Sequence, residues 1–427
     1  MTIKRAAVVG AGGSGLAAAY DLRRDFDVTL YDAQSHLGGN AHTLDVTSLD
    51  GEQTTVDTGV FTFFDGVWPS LFDDLGIRAV PLPQSIPMMA LRCAECGFSF
   101  GSPEDAEPGS PPRRPDVSAT VWEHFLEDFQ KLGQAIDADT AVTPEDLVKS
   151  EGFSRYFVEH LITPAIAAAY IISPQAARRC SVSPLFKILM SVNFMPGVPS
   201  TGWMYIPEGT RSYTQSLADE LAAVRLGTEV QSVRRTGDEV LIRDAAGDVQ
   251  RFDKAVLAVA SDRALKILDT PTDAQSRVLS AFPYDYNRWM FHTDASLPHS
   301  DGVISYQMAA CTGEAHINLP HNGPQRLNSP TQYLSTMTCG GGVPDPAQVL
   351  QTMDHGIVIL TPQAVGAQRD LPLISDSTLA FAGAYFGDTG HDNALASGRN
   401  AARVLKGLQP CGGIRDLLTS AWEPWRE

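Results

Sequence analysis

Gly10, Gly12 and Gly15 follow the apolar run Val8-Val9 and lead directly into the helix-forming LAAAYDL. At this spacing a strand turns into a helix whose first N–H groups are left free for phosphate. Gly10 permits the turn, Gly12 removes a side chain where a pyrophosphate meets the backbone, and Gly15 lets helix and strand pack closely. Asp32, after the second apolar run Val28-Thr29-Leu30-Tyr31, stands where a carboxylate accepts from ribose hydroxyls. Together these residues predict a bound dinucleotide; a strand, turn and helix without ligand is the plainer alternative.

The polar and sulfur side chains are the next candidates. His391 stands at the start of an expected C-terminal helix, where dipole and burial both favour a neutral imidazole able to donate or accept; a cap bonding the turn is the alternative. His42, two residues after Asn40, reaches the same neighbourhood, with a structural bond to the turn as its plainer role. His292, His316 and Asn318 fall on expected strands, where each could orient a polar substrate group or satisfy a turn. Tyr170, with Phe194 and Met195, suits an apolar tunnel or plain helix packing. Cys93 and Cys96 alone among six cysteines have a recognisable spacing. A zinc site needs two more ligands and no comparable pair follows, so Ala94-Glu95 reads as a hairpin tip and no metal is expected; a redox or metal-binding pair is the alternative.

The elements that must position these groups follow an α/β order. Hydrophobic residues make up 43% and charged residues 19%, and strands alternate with helical stretches over 427 residues, enough for two interleaved domains. The net charge of −18 repels phosphate backbones and argues against nucleic acid as a partner. Met1 to Arg5 lead straight into the first strand, so no secretory signal is expected. The longest apolar run, Leu161 to Ile172, is too short to span a bilayer and contains Pro164, so no transmembrane segment and a cytoplasmic protein are expected.

Further along, residues 101–116 read as a Pro-, Gly- and charge-rich loop, and 121–192 as a helical cap broken at Pro144, Pro164, Pro174 and Pro184. Tyr205 to Tyr213 closes a strand and opens a helix, and strands follow near 229–233 and 239–243. The segment 252–259 is apolar enough for a parallel strand returning to the first sheet. Residues 266–354, including Arg288–His292 and Thr331–Met337, are expected to form an antiparallel substrate sheet. Leu379 to Tyr385 reads as a last short strand and His391 to Leu405 as a helix.

Four segments, VVGAGGSGLAAAYDL, LYDAQSHLGGNAHT, FDKAVLAVASDRAL and FAGAYFGDTGHDNALASGRNAARVL, resemble the flavin-dependent amine oxidase superfamily, which includes protoporphyrinogen oxidases and phytoene desaturases. Within it, VDTGVFTFF, TPAIAAAYIIS, PEGTRSYTQSLADEL, MFHTDASLP and GDTGHDNALASG are similar to a bacterial group of NAD/FAD-binding proteins associated with cyclopropane-fatty-acid synthases. The turn GGNAHT departs from that group, which has a histidine directly after the second glycine; Asn318 sits where the group keeps an asparagine.

The resemblance implies FAD. It places the pyrophosphate on the first segment (Gly10, Gly12, Gly13, Ser14, Gly15), the adenosine ribose on Asp32 and adenine on the backbone of Val230. It passes the diphosphate and ribityl chain by Gly38, Gly39, Asn40 and Ala41, and sets the isoalloxazine ring near Gly383 and the turn Gly390, His391, Asp392, Asn393 and Ala394. It further implies a Rossmann-like FAD-binding domain from 1–60, 205–265 and 355–427, interleaved with an α+β substrate domain and helical cap from 61–204 and 266–354. The expected reaction is hydride transfer from a C–H bond of a largely apolar substrate to flavin N5, with His391, His42 and Asn318 as candidate catalytic groups. An amine or amide oxidase is the alternative. Against it, the aromatic wall that amine-oxidising relatives place before the terminal turn reads Gly390 here, and no lysine occurs between Lys266 and Lys406.

Overall fold

The computed structural model describes residues 3–64, 72, 75–83, 86, 88–101, 115–135, 142–183 and 203–410. Most of the 101–116 loop, Pro184, and Phe194 with Met195 lie outside them.

A five-stranded parallel sheet forms the base of the described structure, in the order Ala223–Arg225, Asp27–Tyr31, Arg5–Val9, Lys254–Leu257, Leu379–Phe381. Its central strands are covered on both faces, which is why Ala6-Ala-Val-Val9 and Ala255-Val-Leu257 are continuously apolar rather than alternating. Val8 faces Leu30 on one side and Val256 on the other. The glycine-loop helix Gly13–Leu22 and the terminal helix His391–Leu405 lie together against one face, and Gly398 makes this possible. A Cβ on Gly398 would sit 1.9 Å from the Ser14 carbonyl oxygen. On the other side of the base, a three-stranded antiparallel sheet packs its inner residues Val233, Val240, Ile242 and Phe252 with Ala255 and Leu257.

A second, seven-stranded sheet runs Val349–Val358, Tyr284–His292, Leu334–Cys339, Ala315–Pro320, Ile304–Met308, Met89–Cys93, Ser99–Phe100. Five of its six pairings are antiparallel as the alternation implies, but Met89–Cys93 joins Ile304–Met308 in parallel. A strand from early in the chain thus completes an edge that residues 266–354 alone were expected to form. The last strand also continues past 354, to Val358.

The apolar face of this sheet packs on the helical cap, with Leu91, Trp289, Ile317 and Met337 against Phe157, Leu161, Ala165 and Ile166. Pro144 and Pro174 each open a helix, as proline's missing N–H allows. Pro164 does not break the cap. Residues 155–170 are continuous, because a π-helical turn at Val158–Ile162, closed by Thr163 N–H to the Val158 carbonyl, comes just before the proline. No described helix is long and apolar enough to cross a membrane.

Replacing Gly398 with alanine forces the two helices apart. The expected loss is about 1–3 kcal/mol, the usual cost of overpacking, read as a lower urea midpoint; an unchanged midpoint means the helices are not in this contact.

Candidate dinucleotide and substrate site

The three glycines of the first loop serve three separate needs. Gly10 adopts φ +104°, and a Cβ there would lie 2.4 Å from the Ala258 carbonyl oxygen. At Gly15 a Cβ would fall 1.7 Å from the Gly10 oxygen, so strand and helix could not close. Around Gly12 there is open space, with nothing within 4 Å of an added Cβ. Gly12 is also the N-cap of its helix and makes no side-chain cap bond, so Gly13, Ser14 and Gly15 form a first turn aimed at that space.

Asp32 is tied to this loop. One carboxylate oxygen accepts from Ala11 N–H at 2.5 Å and the other from Gln34 N–H at 2.7 Å. Beside it opens a cleft of about 740 Å³ lined by Gly10, Tyr31, Asp32, Thr228, Val230 and Lys266, among others. Its volume falls within the range of about 300–1,000 Å³ usual for cofactor sites. Val230 and Asp32 both line this cleft.

The Gly38-Gly39 turn lies over the loop on its other side. Gly38 N–H donates to the Ala11 carbonyl at 2.8 Å, and a Cβ on Gly39 would stand 3.2 Å from the Gly12 Cα. Ala41 is buried in the core beneath, and Asn40 turns toward the second sheet, its Oδ1 bonded to His355 Nδ1 at 2.8 Å. His42 stacks on His36 at 4.1 Å between ring centres, and burial, with His36 and His355 nearby, holds its imidazole down to about 4.

The terminal segment comes to the same place. Gly383 N–H donates to Ser397 Oγ at 2.9 Å, and Gly390 caps the terminal helix without a side-chain bond. Asp392 is buried, and Asn393 fills the space beside Gly387, where a Cβ would meet its Oδ1 at 2.2 Å. Ala394 continues the helix by donating to the Gly390 carbonyl at 3.1 Å.

His391 does not cap its own turn. Its Nε2 lies 2.6 Å from Tyr213 Oη, Phe63 meets its ring edge-on, and a Cβ on Gly13 would fall 3.1 Å from its Cε1. The imidazole thus fills the gap between the two helix starts, and burial holds it down to about 4.

Asn318 is placed elsewhere. It is fully buried, donates to the Pro298 carbonyl at 2.9 Å and accepts from Thr336 Oγ1 at 2.6 Å. His292 bonds the same Thr336 hydroxyl and His316 the same Pro298 carbonyl. Neighbouring strand residues point to opposite faces. Ser335 donates to the Thr58 carbonyl beside the dinucleotide unit, so Thr336 and Asn318 occupy the far face. The fold brings His391 and His42 to the cofactor side and leaves Asn318, His292 and His316 behind the sheet.

Three residues absent from the sequence-based candidates hold the site together. His355 faces Asn40 and Trp289, and no local pattern in the sequence marks it. Asp57, nearly fully buried, accepts from Thr43 Oγ1, Thr210 Oγ1 and Thr210 N–H, fixing the start of the helix Arg211–Asp219. Burial pushes its carboxyl up against those bonds. Tyr213, on that helix, holds His391. Tyr170 keeps its hydroxyl buried with no hydrogen-bond partner among the described residues, close enough to Asp388 of the terminal turn for that carboxylate to push its phenol up further.

Known proteins resemble this chain in sequence over part of it and in fold over most of it. A family profile for an NAD(P)-binding Rossmann-like domain matches residues 8–75. The mitochondrial protoporphyrinogen oxidase of Nicotiana tabacum is 29% identical over 185 residues, 42% of this chain and 33% of that protein. The chain spans a third or less of the curated relatives it matches. Cyclohexylamine oxidase from Brevibacterium oxydans IH-35A superposes with a TM-score of 0.65 at 14% identity, covering 95% of this chain and 99% of that one. A CLA-producing fatty acid isomerase from P. acnes superposes with a TM-score of 0.63 at 14% identity, over 93% and 97%. The fold is therefore the amine-oxidase fold, built on a Rossmann-like unit.

His42, His355 and His391 are all held near 4, whereas unfolded imidazoles titrate near about 6.5. Between those values the unfolded chain binds more protons, so stability falls as pH drops from about 7 toward about 4. Urea midpoints measured at stepped pH should decline over this window. His391→Gln, which can still bond Tyr213, should show a shallower decline.

Proposed function

We propose that this chain binds FAD and removes a hydride from a C–H bond of a largely apolar small molecule or acyl chain, ending in dehydrogenation or in redox-neutral isomerisation. The observation that carries the reading is the convergence of an adenosine-sized cleft at Asp32 and Val230 with two helix starts, Gly12 and Gly390, that lack side-chain caps. A dinucleotide with a second ring system needs both ends; a simple mononucleotide site does not. Bound FAD supplies a two-electron acceptor at N5.

The chain's own residues do the rest. N–H groups of Gly12, Gly13, Ser14 and Gly15 hold the pyrophosphate, Asp32 accepts from the ribose, and the backbone of Val230 meets adenine. Gly38 and Gly39 let the chain pass close to the diphosphate, with Asn40 and Ala41 behind them. The turn Gly390, His391, Asp392, Asn393 and Ala394, with Gly383 at its base, flanks the ring. His391, kept neutral and bonded to Tyr213, positions that turn and keeps a proton off the imidazole. His42 does the same behind the Gly38-Gly39 turn.

Positioning and the exclusion of water are the main demands of such a step. The sheet face that meets Thr58 also carries Phe291 and Met353, in keeping with an apolar substrate. The name of the fatty acid isomerase neighbour supports an acyl substrate, and that of cyclohexylamine oxidase the alternative of amine oxidation. Gly390 in place of an aromatic wall, and the lack of lysine from 267 to 405, favour the first.

Purified protein should be yellow and carry one FAD per chain. Anaerobic mixing with unsaturated or saturated acyl substrates should bleach the flavin band, whereas bleaching by amines alone, with peroxide released in air, would establish the alternative. Asp32→Ala should weaken FAD binding by roughly 10- to 100-fold, the loss of one charged hydrogen-bond acceptor, measured by flavin fluorescence quenching. Colourless protein with no affinity for FAD defeats the proposal outright.

A further inference from the structure

Far from the dinucleotide cleft, at the edge of the seven-stranded sheet, four potential metal ligands meet. Cys93 Sγ, Cys96 Sγ, Cys311 Sγ and an imidazole nitrogen of His160 all lie within 4.8 Å of one another. Cys93, Cys96 and His160 are buried, and Cys311 is partly so. We propose that these four side chains form a structural zinc site of the Cys3His type, which clamps the sheet edge to the helical cap.

The spacing fits a tetrahedron. With Zn–S of about 2.3 Å and Zn–N of about 2.0–2.1 Å, its S–S edges are about 3.8 Å and its S–N edges about 3.6 Å. Cys93 Sγ is 3.8 Å from Cys311 Sγ, and Cys96 Sγ is 3.6 Å from His160 Nε2. Two sulfurs 3.8 Å apart are not a disulfide, which holds them at about 2.05 Å.

The surroundings are those of a ligand set rather than of packed thiols. Cys93 and Cys96 stand at the two ends of a tight turn that brings their sulfurs together. The turn that allows this closes with Gly97 N–H donating to the Cys93 carbonyl, and Gly97 itself takes φ +68°. His160 Nδ1 lies 3.1 Å from the Tyr156 carbonyl, so its proton sits there and Nε2 is left with a lone pair facing the sulfurs. Metal-bound histidines are commonly oriented by such a bond. The Cys311 N–H donates to Glu95 Oε2 at 2.7 Å, joining the two cysteine loops a second time.

Two separate features of the fold bring the other two ligands to the Cys93–Cys96 turn. The parallel pairing sets Cys93 opposite Met308, so the loop after that strand carries Cys311 back over the hairpin. The π-helical turn before Pro164 contains His160, and π turns are frequent at functional sites. Phe98 and Tyr156 pack on the imidazole and screen it from water. No open coordination position is apparent among four protein ligands, which makes the site structural rather than catalytic.

The test is elemental analysis of full-length protein, produced with zinc in the medium and purified without chelator. One equivalent of zinc per chain should survive gel filtration and be lost in Cys93→Ser and Cys311→Ser, but not in Cys180→Ser or Cys339→Ser. Cobalt substitution should give thiolate charge-transfer bands and the strong d–d bands of a tetrahedral site. Should the variants fail to fold, titrating wild-type thiols with a mercurial, with a chromogenic chelator present, should release one equivalent. Absence of zinc after reconstitution under reducing conditions overturns the proposal. So does zinc retained by Cys311→Ser, or a Cys93–Cys311 disulfide found by non-reducing peptide mapping in the reduced preparation. None of these readouts depends on the flavin.

Discussion

The molecule depends on one close approach, that of the glycine-loop helix to the terminal helix. Gly398 rests on the Ser14 carbonyl, and Gly15 closes the same helix onto Gly10. Without side chains at these points, segments more than 370 residues apart in the chain start their helices side by side. The starts of the two helices lie together, and each adds its positive end to one region. In a protein of net charge −18, such a local concentration of positive potential is what an anionic diphosphate requires.

Directional polar contacts tie the second sheet to this unit. Ser335 and Met353 hold the Thr58 hydroxyl and carbonyl, Gln325 bonds both backbone groups of Asp57, and His355 holds Asn40. Each contact falls on the stretch from Asn40 to Gly59, which runs from the Gly38-Gly39 turn to the second sheet. Directional bonds of this kind set distance and angle, where apolar packing alone tolerates slip. Apolar packing on the same face joins the sheet to the cap.

How much of this could be read from the chain depends on how local each feature is. The strand, glycine loop, helix and Asp32 were legible because Gly10 to Asp32 is one contiguous unit, and the terminal helix because its apolar spacing and turn residues bracket it closely. Strand alternation announced the substrate sheet but not its parallel edge, since Met89–Cys93 pairs with residues more than 200 positions away. Pro164 was expected to end a helix; a π turn absorbed it, and no propensity distinguishes those outcomes. Asn318 was a candidate for orienting substrate until register placed it behind the sheet.

The sequence by itself determined the dinucleotide unit and the α/β architecture, because hydrophobic period, turn glycines and helix starts act over a few residues and need no distant partner. Only the tertiary structure decided where His391 points, which face carries Asn318, and that Cys93 and Cys96 meet His160 and Cys311. Those ligands come from positions 64 and 218 residues apart. Contacts across such spans are set by the packing of whole sheets and helices, whose loop-closure cost is repaid collectively. No local pattern in the chain encodes them.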